Sequence, residues 1–216
     1  GTQTLTGINT YTGATTITAG TLALGSGGSI ANSSVITANG TLDTSAKTSF
    51  TIGGSQTLNG TGTVNVGSGN SLVVDGTIAP GNSAGVLTVS NGTTTLTTGA
   101  IFAWELNDNV DSTSGTRGTN YDGLTTTNTG NLTVASGAIF KVLLAGTVNG
   151  SNAFWNTSHS WSNIFSVGGT TTPAGTNLFD TVQIVDNTTG SLFTSASGSF
   201  SFTGSTLSWS AVPEPT

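Results

Sequence analysis

Apolar side chains alternate with threonine in short runs along much of this chain: Ile17 stands between Thr16 and Thr18, Leu22 and Leu24 flank Ala23, and Ile36 and Leu42 recur about twenty residues on. A period of two is that of a strand with one face buried. The phrase Ile17-Thr18-Ala19-Gly20-Thr21-Leu22 returns as Ile36-Thr37-Ala38-Asn39-Gly40-Thr41-Leu42, and looser copies follow at Val73–Ile78, Leu96–Phe102 and Val134–Phe140. Each reads as strand, corner, strand, with glycine allowing a corner that a side chain would obstruct. Gly20, Gly40 and Gly60 stand at one interval, and beyond them the spacing loosens. A single unit cannot bury its apolar face, so a recurring one predicts an all-β solenoid whose stacked rungs share a core. Ile17, Ile36, Leu22 and Leu42 are then expected to point inward and stack.

The pattern breaks in three places. Ala79-Pro80-Gly81-Asn82-Ser83 has turn chemistry. Residues 107–123 form the longest polar interruption and carry Asp108, Asp111 and Asp122, which could offer oxygen to Ca²⁺ but at no recognised calcium spacing; the segment reads as a solvated excursion. From 145 the chain becomes less regular and aromatic, with Phe154, Trp155, Trp161, Ile164 and Phe165 around His159. These read as a plug or cap on the solenoid, while Trp155 and Trp161 could alternatively stack on a sugar. Phe200, Phe202, Leu207 and Trp209 then alternate with Ser and Thr as strands. The expected organisation is rungs over 1–144, a C-terminal β region that caps or assembles over 145–210, and a tail over 211–216.

Charge changes the picture more than length does. Only 6% of the 216 residues are charged, and the hydrogen-bonding surface is left to hydroxyls and amides. The net charge is −6 and the basic residues are Lys47, Arg117 and Lys141 alone, too few to follow a phosphate backbone, so nucleic acid is not an expected partner. With no cysteine there is no disulfide framework and no thiolate metal site, and no cofactor is expected. The chain opens at Gly1 inside a repeat-like phrase, for which removal of a secretory signal is the expected explanation. No apolar run reaches the ~20 residues that span a bilayer. His159 has no acid near it in sequence, so a serine-type triad is not indicated and the chain is not expected to be an enzyme; Glu105, Asp108, Asp111 and Asp122 are the carboxyls a polysaccharide lyase or hydrolase would draw on.

Two stretches carry family resemblance. Asn9-Thr10-Tyr11-Thr12-Gly13, followed by Thr15 to Leu22, resembles the autotransporter-associated β-strand repeat of bacterial passenger-type surface proteins, and Gly76 to Val89 resembles a late rung of the same proteins. The resemblance implies a parallel β-helix, expected to run to roughly nine or ten coils and ~45 Å at the spacing of neighbouring strands. Val212-Pro213-Glu214-Pro215-Thr216 resembles the PEP-CTERM sorting motif of Gram-negative bacteria. That motif implies a cut by exosortase and a membrane link only through a removed signal. Together the two imply an extracellular or outer-surface protein. The leading expectation is a structural one, filaments or biofilm matrix built by head-to-tail stacking of copies. The first rung, with Leu5, Ile8 and Tyr11, would accept the strands that carry Phe200, Phe202, Leu207 and Trp209. An adhesin or polysaccharide-binding module is the alternative, and a β-helix polysaccharide lyase or hydrolase a second one.

Overall fold

The computed structural model describes residues 1–172, 176–186 and 198–212. Its chain winds in coils of up to three short strands. β1 (Thr2–Leu5) stands alone, followed by β2 (Thr15–Ile17) and β3 (Thr21–Leu24). Three full coils follow: β4 (Val35–Ala38), β5 (Thr41–Asp43) and β6 (Ser49–Ile52); β7 (Thr57–Gly60), β8 (Thr63–Asn65) and β9 (Ser71–Val74); β10 (Thr77–Pro80), β11 (Val86–Ser90) and β12 (Thr93–Leu96). The next coil is β13 (Ile101–Leu106), β14 (Gly123–Thr127) and β15 (Asn131–Val134). After β16 (Ile139–Leu144) come a 3₁₀ turn at Ala153–Asn156, β17 (His159–Trp161), β18 (Phe165–Val167), β19 (Thr171–Thr172) and β20 (Thr181–Asp186). A hairpin of β21 (Gly198–Thr203) and β22 (Thr206–Ala211) closes the described chain.

Stacking produces three parallel sheets. One runs β1-β3-β5-β8-β11-β14-β18, a second β2-β4-β7-β10-β13-β16-β20, and a third, shorter by two strands, β19-β15-β12-β9-β6. The fold is therefore an all-β parallel β-helix. The solenoid does not stop at Leu144, since β18, β19 and β20 each add a parallel strand to their sheet. Its height is that of seven strands and not nine or ten, so the expected ~45 Å becomes about 30 Å. The shortfall has a plain cause: residues 107–122 and 145–164 leave the coil between strands, and β17, β21 and β22 form a separate antiparallel sheet in the order β17-β22-β21.

Register decides which inward residues meet. Gln3, Leu22, Leu42, Val64, Val89, Thr126 and Val167 form one column. Thr15, Ile36, Leu58, Ile78, Phe102, Phe140 and Val182 form another. Leu22 and Leu42 do stack, but Ile17 lies over Ala38 and Ile36 under Thr15, because the corner between Ile17 and Thr21 takes three residues and the matching one between Ala38 and Thr41 takes two. Leu42 and Ile36 are fully buried, Ile17 almost so, and Leu22 half-buried near the end of the stack. The glycine interval also shifts: Gly62, and not Gly60, continues the corner of Gly20 and Gly40. A methyl at Gly62 would meet the carbonyl oxygen of Gly40, and one at Gly40 that of Gly20, so the coils touch backbone to backbone there.

The next corner is held by carboxamides. Asn128 donates to Asn91 (2.8 Å), Asn91 to Asn65 (3.1 Å) and Asn65 to Asp43 (3.2 Å), one bond for each step up the stack. Asn91 and Asn128 take left-handed backbone angles, φ 62° and 59°, which asparagine adopts more readily than most residues. Toward the C-terminal end the core enlarges from aliphatic to aromatic. Phe102 stacks on Phe140, Trp104 meets Trp161 edge to face, and Phe140 meets Phe202 the same way.

Candidate functional site: the two ends of the solenoid

The N-terminal end is open. Among the described residues, β1 and β2 are the outermost strands of their sheets. A groove of about 460 Å³ lies there, lined among others by Leu5, Tyr11, Ile17 and Leu22. Ile8 is 78% and Tyr11 41% exposed, and they are two of the three large apolar side chains exposed among the described residues. The loop that carries them is nonetheless anchored: Asn9 donates its amide (3.0 Å) and its carboxamide (3.0 Å) to the Ser29 carbonyl, and the Tyr11 and Thr15 hydroxyls lie 2.7 Å apart. Thr15 in turn donates to Ser33 (2.9 Å). The inward positions of this last coil are thus partly polar, with Gln3 over Leu22 and Thr15 over Ile36. The structure brings Leu5, Ile8 and Tyr11, expected to be assembly residues, to this one end.

At the opposite end the apolar core is covered. β21 and β22 pair with each other, and β22 pairs with β17 on its other edge. Phe200, Phe202, Leu207 and Trp209, the expected donors to a neighbouring chain, are buried against the protein's own core, at 8%, 4%, 0% and 0% exposure. Their apolar faces are used within the chain, and β22 has no free edge to offer. Trp155 and Trp161 are buried as well and present no ring to a sugar. Their indole N–H groups point instead into the 107–123 segment: Trp155 donates to the Asn109 side chain (2.8 Å) and Trp161 to the Val110 carbonyl (3.0 Å). This answers the usual requirement that a buried tryptophan find an acceptor.

The polar segment is accordingly a strap and not a solvated excursion. Ser112 donates its amide (3.1 Å) and hydroxyl (3.0 Å) to the Ser160 carbonyl, and Tyr121 donates to Asn163 (2.9 Å). Its three acids serve three separate joints. Asp108 accepts from Thr147 (2.8 Å), and Asp111 from Thr113, Ser114 and His159. Asp122 receives the Gly85 amide (2.8 Å) on one oxygen and the Glu105 amide (2.8 Å) on the other, which pins the end of the strap to the coil. The carboxyls do not converge, and no group of three or more His, Cys, Asp or Glu placed to hold a metal occurs among the described residues. Asp108, Asp111 and Asp122 therefore do not fit a calcium site. Burial raises the Asp122 carboxyl to about 8 against the opposing pull of the two amides, with the Glu105 charge adding to the rise.

His159 does acquire an acid, from 48 residues away: its Nδ1 lies 3.0 Å from Asp111 Oδ2. Thr157 Oγ1 lies 3.1 Å from the other ring nitrogen. A hydroxyl, an imidazole and a carboxylate in that order resemble a catalytic triad, but the same Nε2 faces the Phe154 carbonyl and the ring lies flat on the Phe154 ring, with centroids 3.5 Å apart. While that nitrogen donates to the carbonyl oxygen it cannot take a proton from threonine. Burial tends to raise the Asp111 carboxyl, but hydrogen bonds from Thr113, His159 and Ser114 hold it well below the usual carboxylate range. The arrangement fastens the cap. The sequence contained no local sign of it, since the strap and the cap lie about fifty residues apart.

Of the tail, Val212 is half exposed, and Pro213, Glu214, Pro215 and Thr216 lie outside the described residues. No helix among the described residues is long and apolar enough to cross a membrane. Residues 1–24, the open end, match the passenger-associated-transport-repeat family model. No curated protein and no solved structure matches the chain. The repeat and the parallel β-solenoid together suggest a passenger-type protein, secreted or exposed at a cell surface.

Proposed function

We propose that the chain is a structural protein of the exterior of a Gram-negative bacterium, a β-solenoid that builds surface filaments or biofilm matrix by pairing its open end with another copy. The observation that supports this best is the N-terminal end, where β1 and β2 are the outermost strands of their sheets among the described residues, beside Leu5 and the exposed Ile8 and Tyr11. Residues 1–13 contain no charged side chain and no proline, the usual protections of an edge strand. Main-chain pairing at that edge is the joint. Catalysis is outside this reading, since His159 and the strap carboxyls are committed to the protein's own groups. So is nucleic acid, for want of basic surface.

Light scattering and electron microscopy across an ionic-strength series test the reading. Association should persist at high salt, because it rests on hydrogen bonds and apolar burial. Lysine at both Ile8 and Tyr11 should abolish it. Monodisperse monomers at every salt concentration, from chains with an intact Gly1 end, would overturn it.

A further inference from the structure

The ion pair between His159 and Asp111 stands where three parts of the molecule meet: the strap, the 3₁₀ turn at Ala153–Asn156 and the antiparallel cap, in which His159 lies opposite Trp209. It is the one ion pair among the described residues, and both side chains are largely buried, at 13% and 15% exposure. Both ring nitrogens face oxygen. Nδ1 meets the Asp111 carboxylate, while Nε2 meets the Phe154 carbonyl and the Thr157 hydroxyl. A carboxylate and a carbonyl are acceptors only, so satisfying both takes two N–H donors, and an imidazole has two only when protonated. Loss of the proton leaves a lone pair against one of these oxygens at a site that water reaches poorly, which is costly.

We propose that His159 and Asp111 form a pH-sensitive clasp that holds the C-terminal cap shut while the imidazole is protonated and loosens it when the proton leaves. Histidine is the side chain whose charge ordinarily changes between about pH 5 and 8. Among the described residues no neighbouring charge can take over its part. The 3₁₀ turn, β21 and β22 carry no titratable side chain. On the strap, Asp108 is turned to Thr147, Tyr121 to Asn163, Arg117 to Ile164 and Thr125, and Asp122 to Gly85 and Glu105. Asp111, kept ionised by its hydrogen bonds, does not limit the clasp until the pH falls below the ordinary carboxylate range. The clasp is therefore closed in mildly acidic solution and opens as the pH rises. What opening would expose is the aromatic core that β21 covers, where Phe202 packs on Phe140 and Phe179 and Phe200 on Trp161. Only this consequence, that an opened cap admits the N-terminal end of another copy, rests on the assembly reading above.

His159 is the single histidine of the chain, so its ring ¹⁵N signals are unambiguous and follow its protonation directly. Amide exchange of the whole protein, dilute enough to be monomeric, is followed over about pH 5 to 9 and corrected for intrinsic rates. Protection of β17, β21 and β22 should fall about tenfold relative to β7–β12 over the range in which the ring loses its proton. His159→Gln should abolish that fall, and so should Asp111→Asn, which keeps the shape of the side chain should the glutamine variant fold poorly. Cap protection that stays constant while the ring titrates would overturn the clasp, as would an undiminished pH response in both variants. Because the measurement is made on monomers, a failed clasp is distinguishable from a failed assembly, which scattering reads separately.

Discussion

At the scale of single residues, position in a column determines what a substitution does. Leu42 is fully buried between Leu22 and Val64, so Leu42→Lys places an unpaired ion in the core and should cost several kcal/mol, read as a large drop in denaturant midpoint. Leu22→Lys should cost much less, because Leu22 is half-buried near the open end and a lysine there can reach water. Asp122 carries a pH dependence of known sign. Its carboxyl is raised in the folded state by burial, so its contribution is fully present below the unfolded value and is lost as the pH rises toward about 8. Denaturant midpoints should therefore decline between about pH 4 and pH 8, and the decline should be shallower in Asp122→Asn. That variant should also lower the midpoint overall, because its amide group turns a donor toward a backbone N–H.

At the scale of elements, β12 shows what a coil accepts without being optimal. Thr94 points inward between Leu72 and Leu132, is fully buried, and its hydroxyl has no partner. Thr94→Val removes an unsatisfied polar group, keeps the branched shape suited to a strand, and should raise stability by about 1 kcal/mol in equilibrium unfolding. The corner at Gly62 lies at the other extreme. Gly62→Ala would drive a methyl into the Gly40 backbone, which cannot move without separating two coils, and should lower the melting temperature by several degrees in calorimetry. The alternation of β4, β5, β7, β8 and β9 was legible because each side chain's direction follows from its own place in the strand. Which rung lay against which was less so: the step from strand to strand is 21 residues at Thr15–Ile36, 20 at Thr21–Thr41 and 22 at Thr41–Thr63, which set Ile17 over Ala38 and handed the corner of Gly40 on to Gly62.

At the scale of the whole molecule, the stacking is one-dimensional, so each coil depends on its neighbours and the ends differ from the middle. The described solenoid should measure about 30 Å along its axis, and small-angle scattering of dilute monomers should separate this from the ~45 Å that an uninterrupted coil count implies. The strap and cap consume the missing height. They also explain why the polar segment and the aromatic segment, which look unrelated in the chain, form one structure: the tryptophans need acceptors, and Asn109 and Val110 supply them.

The sequence by itself determined the class of fold and the direction of the inward side chains, because strand alternation and glycine corners are local properties. Tertiary structure alone decided the rest. It placed Phe200, Phe202, Leu207 and Trp209 in a cap instead of at a joint, turned Trp155 and Trp161 inward, and separated Asp108, Asp111 and Asp122 onto different partners. It also paired His159 with Asp111. Each of these is a contact between groups far apart in the chain, and a side chain's partner across such a distance depends on how many residues every intervening coil and loop takes up.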